Sequence, residues 1–258
     1  LAAGAIPVAL CGTKNDSIPV AETMLPRSLC PLIKSSFGFA LQDSCPYLAA
    51  SDIVVADTTC DGKKKMYELL AAYKPVVLLQ LPQIQDGDAK DDGRAQYAKL
   101  AARLEKDFGA SITTGALRDA VRLTNRRRRA VEDVRERAKR KLSPRTGMDL
   151  LDICCGASVV PDDEQAIALL QDIAAEISRA SDGAVSPDAP RVLLTGVPTG
   201  LGSPKVIPLL EACGASIVRL DKRTRSKKVR PMLDDTAHPL TELPGRQPDT
   251  TCPGQPPH

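Results

Sequence analysis

The chain has 258 residues, 43% hydrophobic and 26% charged, enough for one large or two small domains with real cores. A net charge of +3 is too weak to imply a nucleic-acid partner, and no apolar run approaches the roughly 20 residues of a membrane-spanning helix. Aromatic residues make up only 3%, so an aliphatic core is expected, and eight cysteines without a secretory signal point to reduced, cytoplasmic thiols that bind metal or do chemistry.

The opening segment is apolar but has neither a basic region nor an initiator Met, and it reads as the first strand, Ile6 to Leu10, of a chain cut at its N-terminus. Cys11-Gly12-Thr13 is the turn that follows. Pro26 and Pro31 flank Cys30, so loops and short helices are expected there. Cys30, Cys45 and Cys60 then fall fifteen residues apart, each in an expected loop. Ile53 to Ala56 is a short β-branched run suited to a buried strand, and Thr58 to Gly62 is the turn after it. Met66, Leu69 and Leu70 repeat at helical spacing until Tyr73-Lys74-Pro75 closes the helix. Cys60 is thereby placed at the carboxyl end of a strand, where open α/β sheets bind ligands. Unpaired N–H groups at the start of a helix favour a thiolate, which can ligate a metal or attack a substrate.

Val76 to Pro82 reads as a second buried strand, followed by a polar loop and an amphipathic helix, Arg94 to Phe108, with Leu100 and Leu104 inward and Gly109 as its stop. Ala110 to Thr113 is a further short strand. Such alternation predicts an α/β fold with a parallel, flavodoxin-like sheet wrapped on both faces. Leu117 to Leu142 is a long charged helix containing Arg126 to Arg129. That run is either a basic patch for an acidic or phosphate-bearing partner, or a solvated face laced with Glu132, Asp133 and Glu136. Asp163 to Ser181 is another amphipathic helix. Strand Arg191 to Thr195, the glycine-rich turn Gly196 to Gly202, helix Pro204 to Cys213 and strand Ala215 to Leu220 open a second α/β domain, which the irregular tail leaves incomplete. The expected organisation is a cysteine-rich α/β domain over 1–114, a helical connection over 115–190, and a truncated α/β domain with its tail over 191–258.

Gly62-Lys63-Lys64-Lys65 lacks the spacing of a phosphate-binding loop. The 196–202 turn is either a ligand loop, for coenzyme A or another anion held without any cluster, or a plain tight turn. Both histidines, His238 and His258, lie in the tail, so histidine chemistry is not expected as the main activity. Cys154, Cys155 and Cys213 adjoin apolar positions and read as structural, with Cys213 on the inward face of its helix. Cys11, Cys30, Cys45 and Cys60 remain as loop thiols of the first domain, a set that suits an iron–sulfur cluster or zinc; without any C-x-x-C pair, zinc is the weaker reading.

Thr58-Thr59-Cys60-Asp61-Gly62-Lys63-Lys64-Lys65-Met66-Tyr67-Glu68-Leu69-Leu70 resembles the signature of the cluster-bearing component of 2-hydroxyacyl-CoA dehydratases, a family that includes benzoyl-CoA reductase subunits. Leu29 to Phe39 and Cys45-Pro46-Tyr47 resemble the double-cubane branch of that family. The resemblance covers roughly residues 1 to 220. It implies two α/β domains with an iron–sulfur cluster, 4Fe-4S or a double-cubane 8Fe-9S, between them in a homodimer. It further implies an ATP-hydrolysing activator that delivers low-potential electrons, and an acyl-CoA substrate whose one-electron reduction to a ketyl radical expels a hydroxyl group. Carried over residue by residue, it makes Cys30 and Cys60 ligands, with Cys45 and Cys11 as matches to the double-cubane branch and Cys252 as a further ligand from a blurred C-terminal segment. Lys34, Lys63 and Lys64 then offset the cluster's negative charge or receive an acidic activator, against the plain reading of a solvated first helical turn.

Overall fold

The structure is a computed structural model that describes residues 1–10, 12, 14–58, 60–82, 88–139, 145–180, 183, 186, 188–196, 204–222 and 232–234. Cys11, Cys252, both histidines and the 197–203 turn lie outside the described residues. The chain divides into two compact units, the first from Leu1 to Arg118 and the second from Asp119 to Leu233.

The first unit is organised around helix α2. Its order is α1 (Ile18–Ala21), α2 (Pro31–Leu41), α3 (Pro46–Ala50), β1 (Val54–Asp57), α4 (Asp61–Leu70), β2 (Val76–Leu79) and α5 (Ala89–Phe108). Proline opens both α2 and α3 at the first helical position, where its missing N–H costs nothing and its fixed φ already suits a helix. One largely aliphatic cluster joins Ala21 of α1 and Leu25 after it, Ile33 and Phe37 of α2, Leu48 of α3, Val54 and Ala56 of β1, and Met66, Tyr67 and Leu70 of α4. α1 and α2 approach so closely that a Cβ on Gly38 would stand 1.8 Å from the carbonyl oxygen of Ser17. Ser17 adds a hydrogen bond from its hydroxyl to the Ser35 carbonyl at 3.0 Å.

β1 and β2 pair in parallel, Val54 opposite Val76 through Asp57 opposite Leu79. The crossover between them is α4, as a parallel pair requires. The α/β class is therefore as expected, but the strands are fewer. Ile6 to Leu10 is not in strand conformation, and Ile6 is 62% exposed. Residues 110–113 are not a strand either, the Ile112 N–H being taken by the Glu105 carboxylate at 2.8 Å. Val55 and Leu78 are exposed, so the described pair is not covered on both faces. Leu100 and Leu104 of α5 are half-buried, and Gly109 ends that helix in the left-handed conformation at φ 63°.

The second unit contains the body of α6 (Thr114–Ala138), then α7 (Gly147–Ala157), α8 (Asp163–Arg179), β3 (Arg191–Gly196), α9 (Val206–Ala212) and β4 (Ser216–Lys222). β3 and β4 are parallel, with a register irregularity between Val192 and Leu193. α7 is fixed at its start by a capping box in which Thr146 and Asp149 satisfy each other's backbone N–H groups. One cluster packs Val134 and Ala138 of α6 against Leu150 of α7 and Ile167, Leu170, Ala174 and Ile177 of α8. A second joins Leu151 and Cys155 of α7 to Ile207 of α9 and Ile217 of β4. The helices of 115–190 and the strands after 190 thus share packing within this one unit.

Two arginines of the run pair with α8 and the chain before it inside this unit. Arg126 makes a two-pronged bond with Glu164 at 2.6 and 2.7 Å, and Arg127 bonds Asp163 and the Ala157 carbonyl. Within α6, Arg135 pairs with Glu132 and Arg137 with Asp133, and Lys139 just after it pairs with Glu136. Cys155 is buried, as a structural cysteine should be, whereas Cys213 is exposed, against expectation. α9 stops at Ala212, so Cys213 caps its end and turns outward into the Gly214 bend at φ 85°.

Candidate functional site

Cys30, Cys45 and Cys60 each occupy the N-cap of a helix, α2, α3 and α4 respectively. That position usually carries Ser, Thr, Asp or Asn, whose oxygen accepts a backbone N–H. Here no side chain is used for capping. The carbonyls make the helical bonds instead: Cys30 accepts from Ile33 at 3.0 Å and Lys34 at 3.1 Å, and Cys60 accepts from Lys64 at 3.1 Å. The sulfurs are left for other chemistry, beside N–H groups that favour negative charge.

Two of these caps are brought together by helix packing. A Cβ on Gly62, in the first turn of α4, would stand 2.7 Å from Leu29 Cδ1 and 3.0 Å from Ile33 Cδ1, the residues on either side of the Cys30 cap. The first turns of α2 and α4 therefore lie side by side. Cys30 is exposed and Cys60 half-buried at the edge of the aliphatic cluster, whereas Cys45 is a buried member of that cluster at 7% exposure. Among the described residues, no three of His, Cys, Asp and Glu stand close enough to hold a single metal ion.

The lysines separate into different roles. Lys34 is buried, its ammonium donating to Glu22 and to the Arg27 carbonyl, each at 2.7 Å. Lys64 pairs with Asp61 and Lys65 with Glu68, both at 2.9 Å along the helix. Lys63, half-buried in the first turn of α4, has no ion pair among the described residues.

Tyr67 is the site residue that sequence reasoning missed. Burial, reinforced by the Asp57 carboxylate and the Cys60 sulfur, pushes its phenol up to about 12, so it stays a neutral O–H group next to the end of β1. Its place in the Met66, Leu69, Leu70 pattern marked it only as core. At the same end of β1, the Thr58 hydroxyl accepts from the Leu81 N–H at 3.0 Å, which holds the strand end against the chain after β2.

Parallel strand pairs with helical crossovers make this an α/β protein, with thiols at the N-caps of three helices of its first unit. The family described as 2-hydroxyglutaryl-CoA dehydratase, D-component, matches residues 1–258, and the chain belongs to that family. Its relatives include YjiM of Escherichia coli K12, provisionally named a dehydratase subunit, at 40% identity over 238 residues, 92% of this chain and 62% of YjiM. The beta subunit of lactoyl-CoA dehydratase from Anaerotignum propionicum is 24% identical over 133 residues, 51% of this chain and 35% of that subunit. The beta subunit of (R)-phenyllactyl-CoA dehydratase from Clostridium sporogenes is 27% identical over 137 residues, 52% of this chain and 36% of that subunit. The chain thus spans less than two thirds of the length of these relatives.

Proposed function

We propose that this chain carries thiolate ligands of an iron–sulfur dehydratase component of the double-cubane type, working in the cytoplasm on a 2-hydroxyacyl-CoA thioester. In that reading an ATP-hydrolysing activator supplies electrons and the full-length protein is a homodimer. The observation that supports it is the side-by-side placement of the Cys30 and Cys60 caps through Gly62, Leu29 and Ile33. The donor chemistry fits: an iron–sulfur cluster takes thiolates, each on its own iron, so its ligands need not crowd around one ion. Cys30 and Cys60 would hold the group, while Cys45, sealed among aliphatic side chains, does not meet that description as it stands.

When bound, the cluster supplies low-potential single electrons. Helix N-termini at Cys30 and Cys60 favour the negative charge of thiolate, and the Lys63 ammonium adds a nearby positive charge. The Tyr67 phenol keeps its proton and offers a neutral donor rather than a second anion near Cys60. Anaerobic expression followed by iron and sulfide analysis tests the proposal. Iron and acid-labile sulfide are expected with the chain extended to full length and are expected to be largely lost in Cys30→Ser and Cys60→Ser; a colourless full-length protein with neither overturns it.

A further inference from the structure

The geometry points to Gly62 as a positioning residue that sets the spacing of the Cys30 and Cys60 thiols, with Gly12 as a second spacer on the same helix. This rests on the reading of those cysteines as ligands. Gly62 follows Cys60 by two residues, and its missing side chain is what lets α4 approach α2 at Leu29 and Ile33. Gly12 approaches from the other side of the sequence. A Cβ there would stand 2.5 Å from the Leu32 carbonyl oxygen and 2.7 Å from the Ser36 hydroxyl, again in the opening turns of α2. Real Cβ atoms essentially never stand within 3 Å of a non-bonded heavy atom, so something must move if either glycine gains a methyl.

The two contacts differ in what can give way. Gly12 faces backbone, which belongs to α2's own hydrogen-bonded turn and cannot retreat alone. Gly62 faces the ends of two side chains: Leu29 is half-buried and can turn aside, but Ile33 is packed in the aliphatic cluster, so a new methyl is relieved first at Leu29 and, against Ile33, by parting the helices. A methyl at Gly62 is therefore expected to widen the gap between caps without unfolding the unit, and removing the obstructing atoms of Leu29 is expected to close it again.

The test compares wild type, Gly62→Ala, Leu29→Ala and the double variant, without metal, using a short bismaleimide and mass spectrometric quantitation of the Cys30–Cys60 cross-linked peptide. Far-UV circular dichroism verifies that the helices persist. Cross-linking is expected to fall several-fold in Gly62→Ala and to recover in the double variant. Leu29→Phe presses on the same contact from the segment just before α2 and is expected to lower cross-linking too. Unchanged cross-linking in both Gly62→Ala and Leu29→Phe, or no recovery in the double variant, overturns the spacer role. Anaerobic loading with iron and sulfide is then scored separately on the same proteins. Retention that follows the cross-linking order joins the two readings, whereas no iron in any variant, with the cross-linking order intact, removes the cluster and leaves the spacer.

Discussion

The Lys34 ammonium sits 2.7 Å from Glu22 Oε1, with Lys34 only 5% exposed, so a buried cation is matched by a carboxylate twelve residues upstream. Hydrogen bonding from Lys34, and then its charge together with that of Arg27, hold the Glu22 carboxyl below the ordinary carboxylate range. A folded value lower than the unfolded one stabilises the fold above the ordinary value of 4.5, and that contribution is lost as pH falls through the folded value. Glu22→Gln is expected to lower the urea midpoint at neutral pH and to flatten its decline in acid. Lys34→Met, which removes the buried charge altogether, is expected to cost less than Glu22→Gln, since an unmatched buried cation is worse than none.

Arg126 and Arg127 are adjacent in sequence but not in consequence. The Arg126–Glu164 pair is about half exposed on both sides, whereas Asp163 is buried against Arg127. Arg126→Ala is expected to cost at most about 1 kcal/mol. Arg127→Ala strands the Asp163 carboxylate and the Ala157 carbonyl, with an expected loss of about 3 kcal/mol. Urea denaturation of the two variants measures the difference.

Phe37 is fully buried in α2 and meets Tyr73 edge-on with ring centroids 6.2 Å apart. Phe37→Ala is expected to cost about 3–5 kcal/mol through lost burial and the cavity left behind. Thermal denaturation should show that loss in the first unit, while Leu170→Ala, a cavity in the second, is expected to cost about 2–5 kcal/mol.

The raised Tyr67 phenol makes an alkaline prediction. Between pH 10, where an unfolded tyrosine loses its proton, and about 12, the folded state holds one proton more than the unfolded state. Stability then falls as pH rises, by at most about 1.4 kcal/mol per pH unit from this group. Tyr67→Phe is expected to remove that part of the slope, as measured by urea midpoints across the alkaline range in both proteins.

Much of the local structure was legible. β-branched runs announced β1 and β2, and the Met66, Leu69, Leu70 spacing announced α4. The amphipathic pattern announced α8, and the strands flanking α9 were read nearly to their ends. Ile6 to Leu10 had the composition of a strand and is not in strand conformation, because composition reports a tendency that the tertiary surroundings override. Cys213 was misplaced because a helix pattern continued one residue beyond the helix itself. The Cys-Pro pairs at 30–31 and 45–46 were read as loops, although proline after a residue of extended conformation is also how a helix begins.

Which side chains carry sulfur, which dipeptides can open a helix and which family the chain belongs to are properties of the residue order alone, because motif and local propensity act over a few neighbours. That Gly62 meets Leu29, that Lys34 answers Glu22 and that Cys45 is sealed while Cys30 is open depend on how α2 packs. Those outcomes come from steric exclusion and desolvation between segments far apart along the chain, and neither force exists until the segments touch.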